Sequence, residues 1–149
     1  MKFETADLLD YIGKYPVVIT TNGTVKKDGK ANLGRGNAKE AGKMLGWLSE
    51  KLGDLIADRG NHVHHIDGLL VSFPVEETWT SYADLRLVER SAFELRALAD
   101  TKKWEKVYMP LPGCGGGGLR PSDVISVLAP ILDDRFIVLS RNGEIPKVL

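Results

Sequence analysis

Short unbroken apolar runs alternate along this chain with segments of helical spacing, and that alternation limits the fold more than any other feature. Val17-Val18-Ile19-Thr20-Thr21, Gly68 through Phe73, Val107-Tyr108-Met109 and Phe136-Ile137-Val138-Leu139 are apolar or β-branched at nearly every position. Strands of that kind are buried on both faces, which is the mark of a parallel sheet covered on two sides. Between them lie three helical faces. Ala41, Met44, Leu45, Leu48, Leu52, Leu55 and Ile56 form the first, Leu87, Val88, Ser91, Ala92, Leu95, Leu98 and Ala99 the second, and Val124, Val127, Leu128 and Ile131 the third. The expected fold is α/β, a three-layer α/β/α sandwich around a mixed, mostly parallel sheet. At 149 residues the chain has the length of one domain, spanning 1–149.

Local signals sharpen the boundaries. Asn37 followed three residues later by Glu40 has the form of a capping box at a helix start. Gly42, Gly46 and Gly53 weaken the helix behind it and predict an irregular or broken element. Pro74 and Pro110 are expected to stop the second and third strands. Pro121 suits a first helical turn, and Pro130 should end that helix.

In open α/β sheets ligands bind at the carboxyl ends of the strands, and two glycine-rich loops are placed there. The stronger is Gly113-Cys114-Gly115-Gly116-Gly117-Gly118-Leu119, with five glycines in its first six residues. A backbone without Cβ atoms can approach a phosphate closely and turn its N–H groups inward. A helix starting near Pro121 would add the positive end of its dipole. The weaker is Gly34-Arg35-Gly36, just before Asn37, where Arg35 could add a charge-assisted contact to an anion. Each alone could be a plain turn. Together, at one sheet edge, they suit a diphosphate gripped from both sides. A P-loop is excluded, since Asn37 to Met44 has Gly42-Lys43 but neither the leading glycine nor the closing Ser/Thr. Gly113 to Gly118 satisfies G-x-G-x-x-G literally, yet one strand follows it and no acidic residue ends a strand some twenty residues on, so a Rossmann site is a weak runner-up.

Lys+Arg and Asp+Glu both number 20, which argues against bulk attraction to nucleic acid or to an anionic membrane. The lone cysteine, Cys114, and an N-terminus without an apolar h-region lead us to expect a reducing, cytoplasmic setting and no membrane partner. His62, His64 and His65 read as a solvated loop rather than a metal site, and neither metal nor cofactor is expected. Cys114 reads as a small side chain under the loop more readily than as a nucleophile. Trp47, Trp79 and Trp104 read as packing residues, and Lys26, Lys27 and Lys30 as a solvated basic stretch.

Read in order, these residues resemble the macro domain family, the ADP-ribose-recognising modules. Ala6-Asp7-Leu8-Leu9 is similar to that family's early acidic motif, and Val17 to Asn22 to its strand ending in Asn. Asn32-Leu33-Gly34-Arg35-Gly36-Asn37-Ala38 is similar to its first glycine loop. Tyr108 to Gly115, with Gly117-Gly118-Leu119, is similar to its second. The resemblance implies that Asp7, beside Leu8, accepts a hydrogen bond from the adenine amino group. It implies that Asn22 and Asn32 line the distal ribose. It also implies that Gly34, Arg35, Gly36 and the run Gly113, Cys114, Gly115, Gly116, Gly117, Gly118, Leu119 hold the phosphates. Ser140-Arg141-Asn142 would lie near the adenosine.

Two departures bear on activity. Phe73-Pro74-Val75-Glu76-Glu77-Thr78-Trp79 resembles a segment of the branch that includes ADP-ribosyl-glutamate and ADP-ribosyl-nucleotide hydrolases, but that branch has lysine at its fourth place. Glu76 cannot form a Schiff base, which disfavours lysine-type glycohydrolysis. The second loop also leads into Leu119-Arg120-Pro121-Ser122-Asp123 instead of a Trp-containing segment. Two functions stay open at this point. One is hydrolysis of ADP-ribose-1″-phosphate or of an ADP-ribosyl linkage, carried by Asn32, Arg35, the loop glycines and Glu76 if it points inward. The other is a non-catalytic module for ADP-ribose, a related nucleotide or an ADP-ribosylated macromolecule.

Overall fold

Alternation along β2 (Val17–Asn22) explains the architecture. Successive side chains of a strand point to opposite faces. Val17 and Ile19 pack on one side with Ala38, Ala41, Leu48 and Leu52. Val18 packs on the other with Val88, Ala92, Leu95, Val124 and Leu128. A sheet that is apolar on both faces must be covered twice, and the computed structural model, which describes residues 1–141, shows that covering. Helices α1 (Asn37–Met44) and α2 (Leu48–Arg59) supply one layer, and α3 (Leu85–Lys102) and α4 (Pro121–Leu128) the other.

The remaining strands are β1 (Lys2–Thr5), β3 (His64–Asp67), β4 (Leu70–Glu76), β5 (Val107–Met109) and β6 (Phe136–Ser140). The sheet order is β1-β6-β5-β2-β4-β3. Among the described residues only β3 runs antiparallel to its neighbour in the sheet; the other strand pairings are parallel. The sheet is therefore mixed and mostly parallel, with the carboxyl ends of β2, β4, β5 and β6 on one edge.

The glycine-weakened helix is indeed broken. Leu45-Gly46-Trp47 separates α1 from α2, and Leu45 N–H closes α1 onto the Ala41 carbonyl at 2.9 Å. Pro121 occupies the first turn of α4, which stops before Pro130. Asp84 caps α3 by accepting from Arg86 N–H at 2.9 Å.

Three expectations need correction. Pro74 does not stop the second strand, because β4 runs on to Glu76. The pairing with β3 reaches only Ser72, so Pro74 sits where β4 has an open edge and a missing donor is tolerated. Its carbonyl accepts from Ser91 Oγ at 2.7 Å. Gly68 lies in the β3–β4 turn rather than in the strand. The histidine segment is not a solvated loop: His64 is a buried residue of β3, bonded to the Gly60 carbonyl at 2.8 Å. His62 pairs with Glu94 at 2.9 Å, and His65 packs edge-on to Trp104.

Candidate functional site

The turn from β2 to α1 is shaped by its own polar side chains. Asn22 is buried, donates from Nδ2 to the Asn32 carbonyl at 2.9 Å and accepts at Oδ1 from Thr24 N–H at 2.9 Å. Asn32 Oδ1 accepts from Gly34 N–H at 2.8 Å. Gly36 ends the turn at φ 69°, a conformation that favours glycine, and the capping box expected at Asn37 does not form: Asn37 is the first helical residue and no side chain caps the helix. The first-turn N–H groups of α1 are thus left for another acceptor.

The loop from β5 to α4 is shaped by the absence of side chains. Gly113 O accepts from Leu119 N–H at 3.0 Å, and Gly117 O from Ala83 N–H at 3.3 Å. A Cβ on Gly117 would stand 2.6 Å from Ala83 Cβ and 2.7 Å from Gly113 O, so only glycine fits between them. At Gly115 the same construction meets nothing within 4 Å, because that residue faces open space.

The two loops meet. A cleft of about 590 Å³ lies between them, lined by Asn22, Asn32 and Leu33 through Asn37 on one side and by Gly113, Gly115, Gly116 and Gly117 on the other. Thr20, Thr21, Pro110 and Leu111 line it where the strands end. Arg35 crosses the gap, donating from Nη2 to the Gly116 carbonyl at 2.6 Å. Its side chain is 65% exposed.

Beyond β2 the cleft is bounded by Val75, Glu76 and Trp79. This wall is strapped to the first loop by Gly23 N–H to the Glu77 carbonyl at 3.1 Å and Trp79 N–H to Thr24 Oγ1 at 3.1 Å. Glu76 is 15% exposed, and its Oε2 is buried without a hydrogen-bond partner. The nearest cationic atom is Arg35 Nη2 at 3.9 Å. Burial pushes the Glu76 carboxyl above the ordinary glutamate range, and Arg35 pulls against it.

Several expected site residues fall elsewhere. Cys114 does not line the cleft; its half-buried thiol is pushed up to about 11 by burial, so it is a neutral thiol at physiological pH. Gly118 and Leu119 also lie outside the lining, and so does the N-terminus of α4. The helix end that reaches the cleft is that of α1. Leu8 is buried in the core, and Asp7 caps a 3₁₀ turn at Leu8–Tyr11, accepting from Leu9 N–H at 3.1 Å. Asp7 also pairs with Arg141 at 3.2 Å, and Arg141 with Glu40 at 2.5 Å. Asn142 lies outside the described residues. Trp79, read from the sequence as packing, is 56% exposed and belongs to the cleft wall; its place three residues after Glu76 was the available signal.

No protein-family model matches the sequence. No curated protein matches it either. Solved structures do. The macrodomain of Mycobacterium tuberculosis DarG superposes with a TM-score of 0.74 at 18% identity, covering 95% of this chain and 97% of that one. The macrodomain of Thermus aquaticus DarG gives 0.71 at 19% identity, covering 94% and 97%. This chain folds as a macrodomain. A third match, Thermosipho africanus DarTG in complex with ADP-ribose, has a TM-score of 0.75 at 15% identity and covers 97% of this chain but 43% of that one. At such identities the likeness is one of fold. What the macrodomain cleft binds has to be reasoned from its own residues.

Proposed function

We propose that this macrodomain binds ADP-ribose or an ADP-ribosyl group, with the diphosphate between the two glycine loops. The observation that carries this reading is the shared cleft: glycine-bearing backbone from two separate turns lines one space, with the Arg35 guanidinium between them. An anion there would be met by oriented N–H groups and by the start of α1, a ready-made anion site. The match to Thermosipho africanus DarTG in complex with ADP-ribose supports the choice of nucleotide.

Strand order and the sequence resemblance together support one direction for the ligand. The diphosphate would lie over β2 and β5, from which the two loops leave. Asp7 and Arg141 sit beyond β6 on one side, and Glu76 and Trp79 beyond β4 on the other. With adenine toward Asp7, as the sequence resemblance implies, the distal ribose points at Glu76. Asn22 shapes this end rather than reading it, because its amide is already bonded within the loop.

A second reading, hydrolysis of an ADP-ribosyl linkage, is favoured by Glu76. A partly buried carboxylate with a raised pKa is suited to general-base work. Water would attack the anomeric carbon, its proton would pass to Glu76, and the bond to the leaving group would break with the electron pair going to that group. Asn32 and Arg35 would position the ribose and diphosphate.

Calorimetric titration with ADP-ribose tests the binding. Measurable affinity is expected, and Gly115→Glu should reduce it at least tenfold, since the new side chain enters the diphosphate space without disturbing a neighbour. An unchanged affinity in a folded Gly115→Glu protein overturns the site. Incubation with ADP-ribosylated protein, read by release of ADP-ribose, separates hydrolysis from binding alone.

A further inference from the structure

We propose that Glu76 makes the β4 end of the cleft a charge filter, admitting a distal ribose whose anomeric carbon bears a hydroxyl or an uncharged group and rejecting one that bears a phosphate. This rests on the ADP-ribose reading above and narrows it to a substrate class.

Three observations converge on this end of the cleft. Glu76 lines it, and its Oε2 is buried with no hydrogen-bond partner. A buried carboxylate oxygen left without a donor is costly, and a ribose hydroxyl is a donor of the right kind to satisfy it. A phosphate at the anomeric carbon would bring further acceptors and negative charge to the same place.

The cation that offsets Glu76 is borrowed. Arg35 stands 3.9 Å from Oε2, and the same Nη2 donates to the Gly116 carbonyl. A Cβ on Gly116 would collide with the Arg35 guanidinium, so the bare loop is what lets Arg35 lie in this place. A diphosphate between the loops competes for Arg35 more strongly than a neutral carbonyl can. Once Arg35 turns to the diphosphate, Glu76 has lost its partial counter-charge. The filter therefore acts in the loaded site, where it matters.

Trp79 completes the wall with an apolar surface. Water is displaced along that face when ligand enters, and like charges are screened less there than at an open surface.

The test compares ADP-ribose with ADP-ribose-1″-phosphate by calorimetry on the wild-type chain, on Glu76→Gln and on Glu76→Ala. The wild type is expected to favour ADP-ribose by at least about tenfold. Either substitution should bring the two ligands within about threefold, mainly by strengthening binding of the phosphate. Glu76→Ala guards against a new contact from the Gln amide. Equal wild-type affinities, or a preference that survives both substitutions, overturn the role of Glu76 while leaving the diphosphate site intact. Failure of ADP-ribose itself to bind brings down both readings together.

Discussion

The two loops that face the cleft reach the same end by opposite means. The loop after β2 is built by addition: Asn22 and Asn32 spend side-chain hydrogen bonds to hold the chain in its turn. The loop after β5 is built by subtraction: Gly117 fits against Ala83 and Gly113 only because it has no side chain. Both bring their backbone to the wall of one space. The contrast teaches that such a site can be harmed by deleting atoms on one side and by adding them on the other.

Adding atoms should do the greater damage. Gly117→Val places a branched side chain where even Cβ has no room, and the loop must shift or the contact with Ala83, just before α3, must open. Overpacking of this kind costs about 3 kcal/mol, and the displaced amides should lower ADP-ribose affinity at least tenfold. Thermal unfolding and calorimetry read the two effects. A Gly117→Val protein with wild-type stability and affinity would break the contrast outright.

Deletion on the other side comes next. Asn22→Ala leaves the Asn32 carbonyl and Thr24 N–H without their partner at a buried position, a loss of about 2 kcal/mol. Affinity should fall by about three- to tenfold as the first loop loosens, since about 1 kcal/mol of loop ordering is then charged to binding. Asn22→Asp keeps the acceptor for Thr24 but sets a carboxylate oxygen against the Asn32 carbonyl and a negative charge beside the diphosphate space, so its affinity should fall at least as far as that of Asn22→Ala. If Asn22→Ala proves harsher than Gly117→Val, the side-chain-built loop is the more critical one.

That difference also decides what could be read from the sequence. A loop built by subtraction is legible, because a run of glycines between a strand and a helix has few other uses. The apolar runs of β2, β5 and β6 were legible for a similar reason, being buried on both faces. The first loop was legible only as a pair of glycines around Arg35; that Asn22 bonds Asn32's carbonyl is a contact across ten residues that no local pattern announces. β1 and β3 escaped notice because they are short edge strands with mixed polarity, Lys2-Phe3-Glu4-Thr5 and His64-His65-Ile66-Asp67. Pro74 misled because its tolerance depends on where β3 stops pairing. Glu76 could be picked out by its segment, but only the folded wall shows its Oε2 buried and facing Arg35.

Glu76 also marks where this frame carries a cost rather than a gain, and the smallest expected effect measures it. Its carboxyl is held above the ordinary range by burial, with Arg35 opposing. For an acid whose folded pKa is raised, the native state holds the proton more tightly than the unfolded chain does. Stability is then lost as pH rises through the folded pKa and recovered as pH falls back toward the unfolded value. Replacing the group by Gln removes that dependence. Glu76→Gln should therefore melt higher than wild type at neutral pH. The gap should close below about pH 4, where the carboxyl is protonated in both states. Other titrating groups contribute equally to the two proteins and cancel in the difference. A gap that stays constant with pH would trace the gain to packing, and a lower neutral-pH melting point would mean that Arg35 more than repays the burial of Glu76.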